Sequence, residues 1–119
     1  MLPPIYGVLS MDSGVSGIVG DRIYPHGSAP QDVSKPYITW QQIAGTPDNN
    51  LSDPFDVILS LIQINCWHPV GSGVSELARD VISALESYGH IVGIPIDDRD
   101  TETGLYWIAI EIDWWFPRE

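Results

Sequence analysis

The chain has 119 residues, 44% hydrophobic and 18% charged, and its sixteen acids against five bases give a formal net charge of −11. That length predicts one domain, 1–119, with a single core, and the hydrophobic content excludes a disordered chain. The acidic balance argues against tight binding to phosphate backbones, and no apolar run suits a membrane helix; the N-terminus does not read as a secretory signal, and the single Cys66 permits no internal disulfide and suits a reducing cytoplasm.

Two short helical pieces are expected in the first twenty residues. Pro3 or Pro4 suits a first helical turn, and Ile5, Val8 and Leu9 then fall on one stripe. Asp12 or Ser13 can cap the second piece, where Val15, Ile18 and Val19 repeat the spacing. Gly14, Gly17 and Gly20 weaken it, so short, partly 3₁₀ turns are expected. Residues 24–36 read as loop, because Pro25, Pro30 and Pro36 each bias the preceding residue towards extended backbone.

Tyr37 to Ala44 reads as a strand with Ile38, Trp40, Gln42 and Ala44 on one face and Tyr37, Thr39, Gln41 and Ile43 on the other. Turn formers follow, and the next strand is expected from about Phe55 to Trp67. The pair forms a long hairpin whose extended tip, Asp48 to Asp53, is a candidate contact arm.

The apolar stripe Val74, Leu77, Ala78, Val81, Ile82, Leu85 and Tyr88 predicts a helix from Ser72 to Tyr88. Ser72 is its expected N-cap, Glu76 belongs to its first turn, and Gly89 is its expected left-handed C-cap. His90 to Ile96 reads as a short strand closed by Pro95 and an acidic loop, Asp97 to Gly104. The last strand, Leu105 to Phe116, alternates: Tyr106, Ile108, Ile110, Ile112, Trp114 and Phe116 belong against the helix, and Leu105, Trp107, Ala109, Glu111, Asp113 and Trp115 on the other side. The expected fold is α+β, a mostly antiparallel sheet of about four strands with one long helix packed on one face and short N-terminal helices.

Reactive constellations are sparse. Cys66 and His68 share a strand face, but tetrahedral zinc needs about four ligands and no second cluster supplies them. A buried Cys and a surface His before Pro69 is the simpler reading. Asp97, Asp98, Asp100 and Glu102 lack the one-three-five spacing of a calcium loop and enclose Arg99. Gly71-Ser72-Gly73 lacks the Lys of a phosphate loop. Glu111 and Asp113 form an acidic strip facing solvent or a pore. Trp107 and Trp115 point away from the helix, towards either an interface or a second small core layer made with the N-terminal pieces.

An ordered series of words runs through the chain: Gly20-Asp21-Arg22-Ile23-Tyr24-Pro25, Pro30-Gln31, Pro36-Tyr37-Ile38, the polar hairpin tip, Leu61-Ile62-Gln63-Ile64-Asn65-Cys66-Trp67, Leu77-Ala78-Arg79-Asp80-Val81 with Ala84-Leu85, and an aromatic last strand. That series resembles the tail-completion or tail-terminator proteins of long-tailed bacteriophages. The resemblance implies a non-enzymatic virion protein without cofactor or metal, assembled in the host cytoplasm. It implies a ring, usually a hexamer, at the head-proximal end of the tail, which stops tube polymerisation, meets the tail tube protein and the head connector, and passes DNA without specific binding. In that frame Asp48, Asn49, Asn50, Asp53, Trp107 and Trp115 are candidate contacts with a neighbour or the tube. Glu111, Asp113, Asp97, Asp98 and Asp100 are candidate channel-facing acids, and Arg22, Tyr24, Pro25 and Pro36 are candidate anchors of a loop. The competing readings are a head-completion or connector protein and a small Cys–His enzyme or metal protein.

Overall fold

A computed structural model of the chain describes residues 5–30, 32–47 and 57–117, with side chains described for all of these but 44–47, 57–60 and 115–117. Helix α1 spans Ile5–Met11 and α2 spans Ser13–Val19; both are α-helical rather than 3₁₀. Asp12 caps α2, its carboxylate accepting the Val15 N–H at 3.0 Å. Gly20 then takes a positive φ of 63°, which a side chain would resist, and turns the chain into the sheet.

Five strands follow: β1 Ile23–Pro25, β2 Tyr37–Pro47, β3 Val57–His68, β4 Gly89–Arg99 and β5 Tyr106–Pro117, with α3, Gly71–Leu85, between β3 and β4. Their order in the sheet is β1-β2-β3-β5-β4. The pairs β2–β3, β3–β5 and β4–β5 are antiparallel, whereas β1 runs parallel to β2. The expected four-stranded, mostly antiparallel sheet is thus a mixed sheet of five. The additional strand, Ile23–Pro25, overlaps the start of the expected loop 24–36: its three residues pair with Ile38–Trp40, a non-local contact with no period of its own. Pro25 is tolerated because it closes a strand at the sheet edge.

The helical layer is shared by three helices rather than carried by one long one. Ile5 and Leu9, Val15 and Val19, and Val74, Leu77, Val81 and Leu85 meet the same sheet face. There they bury Ile38 and Trp40, Ile62, Ile64 and Cys66, and Ile108, Ile110, Ile112 and Trp114.

Both expected caps of α3 are displaced. The N-cap is Val70, which has no side-chain cap bond, and Ser72 lies inside the helix. The entry is held instead by His68, whose Nδ1 accepts the Val70 N–H at 3.0 Å. No acid lies in the first turn, so Glu76 sits deeper than expected. The helix stops at Leu85, and Tyr88 stacks on Trp114 with ring centroids 5.4 Å apart. Gly89 has no positive φ and opens β4; it is small because a Cβ there would overlap the Asp113 main-chain carbonyl. Strand β4 extends to Arg99, taking in Asp97 and Asp98 that had been expected in a loop. Charged side chains are compatible with an edge strand exposed to solvent.

Candidate assembly face

No described helix or strand covers the other face of the sheet. Alternation along β2, β3, β5 and β4 sorts its side chains into cross-strand rows. Tyr37, Trp67, Trp107 and Asp98 form the first; Thr39, Asn65, Ala109 and Ile96 the second; Gln41, Gln63, Glu111 and Gly93 the third; Leu61, Asp113 and His90 the fourth. Successive rows lie about 7 Å apart, the repeat of two residues in a strand.

The first row is an aromatic ladder. Tyr37 and Trp67 stack with centroids 6.1 Å apart, and Trp67 and Trp107 at 4.7 Å, with rings tilted by no more than 15°. Because the rings face one another, they present edges outward and offer no flat platform for a planar ligand. The indole donors are used inside the face: Trp67 Nε1 donates to Thr39 Oγ1 (3.2 Å) and Trp107 Nε1 to Asn65 Oδ1 (2.9 Å). Asn65 Oδ1 also accepts from Gln63 Nε2 at 2.8 Å, so this amide, only 4% exposed, is well satisfied. Ala109 is fully buried beside it with no described helix above. Burial raises the Tyr37 pKa, and the negative charge of Asp100 adds to the shift.

The far rows are acidic. Glu111 and Asp113 are half-buried, and among the described residues no ion pair neutralises either. The face therefore runs from stacked aromatics at one end to uncompensated carboxylates at the other, about 20 Å along β5 from Trp107 to Asp113.

The structure divides the sequence-predicted residues. Trp107, Asp98, Glu111 and Asp113 meet on this face, so the N-terminal pieces form no second layer with Trp107; α1 and α2 lie on the opposite side. Asp97 pairs with Ile108 and faces the helices instead. Asp100 begins the β4–β5 turn, where its carboxylate accepts from the Glu102 N–H and Thr103 Oγ1. Asp48, Asn49, Asn50 and Asp53 lie outside the described residues, as does the side chain of Trp115. Thr39, Asn65 and Gln63 were missed as members of the site. The clue was available: Gln63, Asn65 and Trp67 alternate with Ile62, Ile64 and Cys66, a polar face on a strand bound for the centre of a sheet.

Arg22 is used internally. Its Nε donates to the Pro36 carbonyl at 2.9 Å and its Nη2 to the Ile18 carbonyl at 3.3 Å. The Ile38 N–H donates to the Arg22 carbonyl, and the His26 N–H to that of Trp40. These bonds join both ends of the 24–36 segment to β2.

Cys66 and His68 share the helix-facing side of β3, but their environments separate them from reactive pairs. Cys66 is fully buried, and burial pushes its thiol up to about 12, which suppresses the thiolate. His68 lies against Gly73 in the first turn of α3, with Nδ1 already occupied by Val70. Burial lowers its pKa, partly opposed by Glu76. Among the described residues no three His, Cys, Asp or Glu side chains converge on a metal-sized site.

No curated protein matches the chain. Among solved structures, a chain from the virion of a native gene transfer agent (GTA) particle is similar, with a TM-score of 0.66 over 93% of this chain and 90% of that chain. At 15% sequence identity that likeness is one of fold. The family described as Tail completion protein gp17 matches residues 3–117. With nearly its whole length matched, the chain belongs to the Tail completion protein gp17 family and is a structural protein of the phage virion tail.

Proposed function

We propose that the protein forms a ring, hexameric in the simplest case, that caps the head-proximal end of the tail tube. The ring stops tube polymerisation, joins the tail to the head connector and leaves a channel for DNA, without catalysis. The observation that carries this reading is the open sheet face, whose indole donors and buried amide are already satisfied. Such a face can dock on protein without leaving its polar groups unpaired. A ring requires two different patches that meet by rotation, and the two ends of this face differ in chemistry.

In this reading the Tyr37–Trp67–Trp107 ladder packs on a neighbouring subunit, joined by Trp115, while Asp48, Asn49, Asn50 and Asp53 reach the neighbour or the tube. Glu111 and Asp113 border the channel, where unneutralised carboxylates repel the phosphate backbone and let DNA slide; Asp98, in the aromatic row beside Trp107, stands with the ladder instead. Asp100 stands at the margin of that surface. Arg22, Tyr24, Pro25 and Pro36 anchor the 24–36 loop and make no contact with partners.

Electron microscopy of virions assembled without this protein tests the reading. Tubes of uncontrolled length, or tails that fail to join heads, are expected; normal virions would overturn it. Solution mass with tail tube protein present adds a second readout, and a strict monomer under that condition counts against the ring.

A further inference from the structure

The helix side of the sheet has an uncovered region of its own. Among the described residues, helix α3 packs mainly over β3 and β5, and no helix is centred on the inner side of edge strand β4. Between α3 and β4 runs a groove of about 340 Å³. Its floor is apolar, made by Ala78, Ile82, Ile94 and Ile108, and its rim carries Arg79, Glu86 and Asp97. Ile94 is 50% exposed and so is its neighbour Val92, a high value for aliphatic residues on a strand.

The form of the groove selects a helix. The lining residues run from Ser75 in α3 to Glu86, its C-cap, roughly 16 Å or three turns along the helix axis. A second helix laid beside α3 would complete the layer that α1, α2 and α3 begin. Strand addition at the outer edge of β4 is opposed by Pro95, which has no N–H, and by register shifts between Ile91 and Gly93 and between Gly93 and Ile96.

The charges select the partner. Glu86 and Asp97 stand on the rim against Arg79, and Asp100 and Glu102 follow at the Asp97 end of β4, where Arg99 is held over the Tyr106 ring. A second copy would bring its own net charge of −11 to this acidic border.

We propose that the groove between α3 and β4 receives an amphipathic helix of a basic partner protein. Its aliphatic ridge covers Ile82, Ile94 and Ile108, and its Lys or Arg side chains meet Glu86 and Asp97. This contact goes beyond the ring reading and uses none of the open sheet face.

The test titrates the isotope-labelled full chain with a synthetic helical peptide of about three turns, with leucines along one stripe and lysines flanking it. A second peptide carries glutamates in place of the lysines. The lysine peptide is expected to shift the amides of Ile82, Ile94 and Asp97 and to bind at least about tenfold more tightly than the glutamate peptide. Ile94→Asp, at a half-exposed position, should weaken the lysine peptide by a similar factor. The double variant Glu86→Lys/Asp97→Lys should reverse the preference between the two peptides. Equal binding of both peptides, shifts confined to the open face, or no saturable binding would overturn the proposal. Self-association abolished by Ile94→Asp would overturn it too, by naming a second copy as the occupant. Because the charge variants leave the open face intact, failure here does not touch the ring reading, which rests on tail length and assembly mass.

Discussion

Strand β5 sends Ile108, Ile110, Ile112 and Trp114 to one side and Trp107, Ala109, Glu111 and Asp113 to the other, and the two sides solve burial differently. Beneath the helices, aliphatic side chains interdigitate and stability comes from apolar area removed from water. On the open side, aromatic rings stack on one another and satisfy their own N–H groups, so that Asn65 and Ala109 are buried with no described element above them. The first arrangement offers a partner nothing beneath the helices and only the groove between α3 and β4 beside them. The second leaves a half-buried, hydrogen-bonded surface whose remaining area is free for docking. A single strand thus contributes at once to the core and to the proposed assembly face.

The strongest way to sharpen this contrast is Ile110→Ala. It deletes a fully buried side chain under the helices and should cost about 2–5 kcal/mol by denaturant unfolding. Tail assembly by the folded fraction should be unchanged. A loss of assembly without a loss of stability would break the division between the faces.

Alkaline pH probes the same core through Cys66. Its thiol titrates near 12 in the folded protein against an ordinary value of 9.0, so in that window the unfolded chain gives up the proton first. Stability is intact below about pH 9 and falls above it, by up to about 1.4 kcal/mol per pH unit. The slope should be smaller in Cys66→Ala than in the wild type when both are unfolded across that range. Identical slopes would mean that the thiol is not sealed in the core.

On the open face, Trp107→Ala removes one stacking partner and one donor to Asn65. The expected stability cost is smaller, about 1–2 kcal/mol, because the ring is only half-buried. Its effect on the mass of the complex with tail tube protein should be the larger one. If Trp107→Ala destabilises the fold as much as Ile110→Ala and leaves assembly untouched, the ladder is a second core rather than a contact surface.

The smallest stability effect belongs to the acids. Glu111→Gln with Asp113→Asn should change unfolding free energy by less than about 0.5 kcal/mol. In the channel reading it should slow DNA ejection and increase retention of DNA on assembled tails, most visibly at low salt. Unaltered ejection would remove these carboxylates from the channel wall.

Much of this contrast was legible in the residue order. The period-two pattern of β5 separated its faces correctly, and the 3.6-residue stripes located α1, α2 and α3, because amphipathic burial writes its period directly into the chain. The cap at Asp12 was equally local. Other features were not. The strand β1 is defined by a parallel partner fifteen residues away, Ile23 against Ile38, and a three-residue segment carries too little pattern to announce that pairing. Gly89 has the look of a helix cap, yet its smallness serves the approach of β4 to Asp113. His68, rather than Ser72, fixes the entry to α3 because its ring returns over Gly73.

The sequence by itself therefore determined which residues seek the interior, the acidic balance of the chain, and the family resemblance that its ordered words carry. Only the tertiary structure decided which of those residues meet. It set Trp67 against Trp107 and gave both indoles polar partners on other strands. It sent Asp97 to the helix side while keeping Asp98 on the open face, and it left a groove where β4 outruns the helix layer. The reason is physical: periodicity is a property of neighbours along the chain, whereas strand order, register and bulges are set by contacts between segments far apart in it.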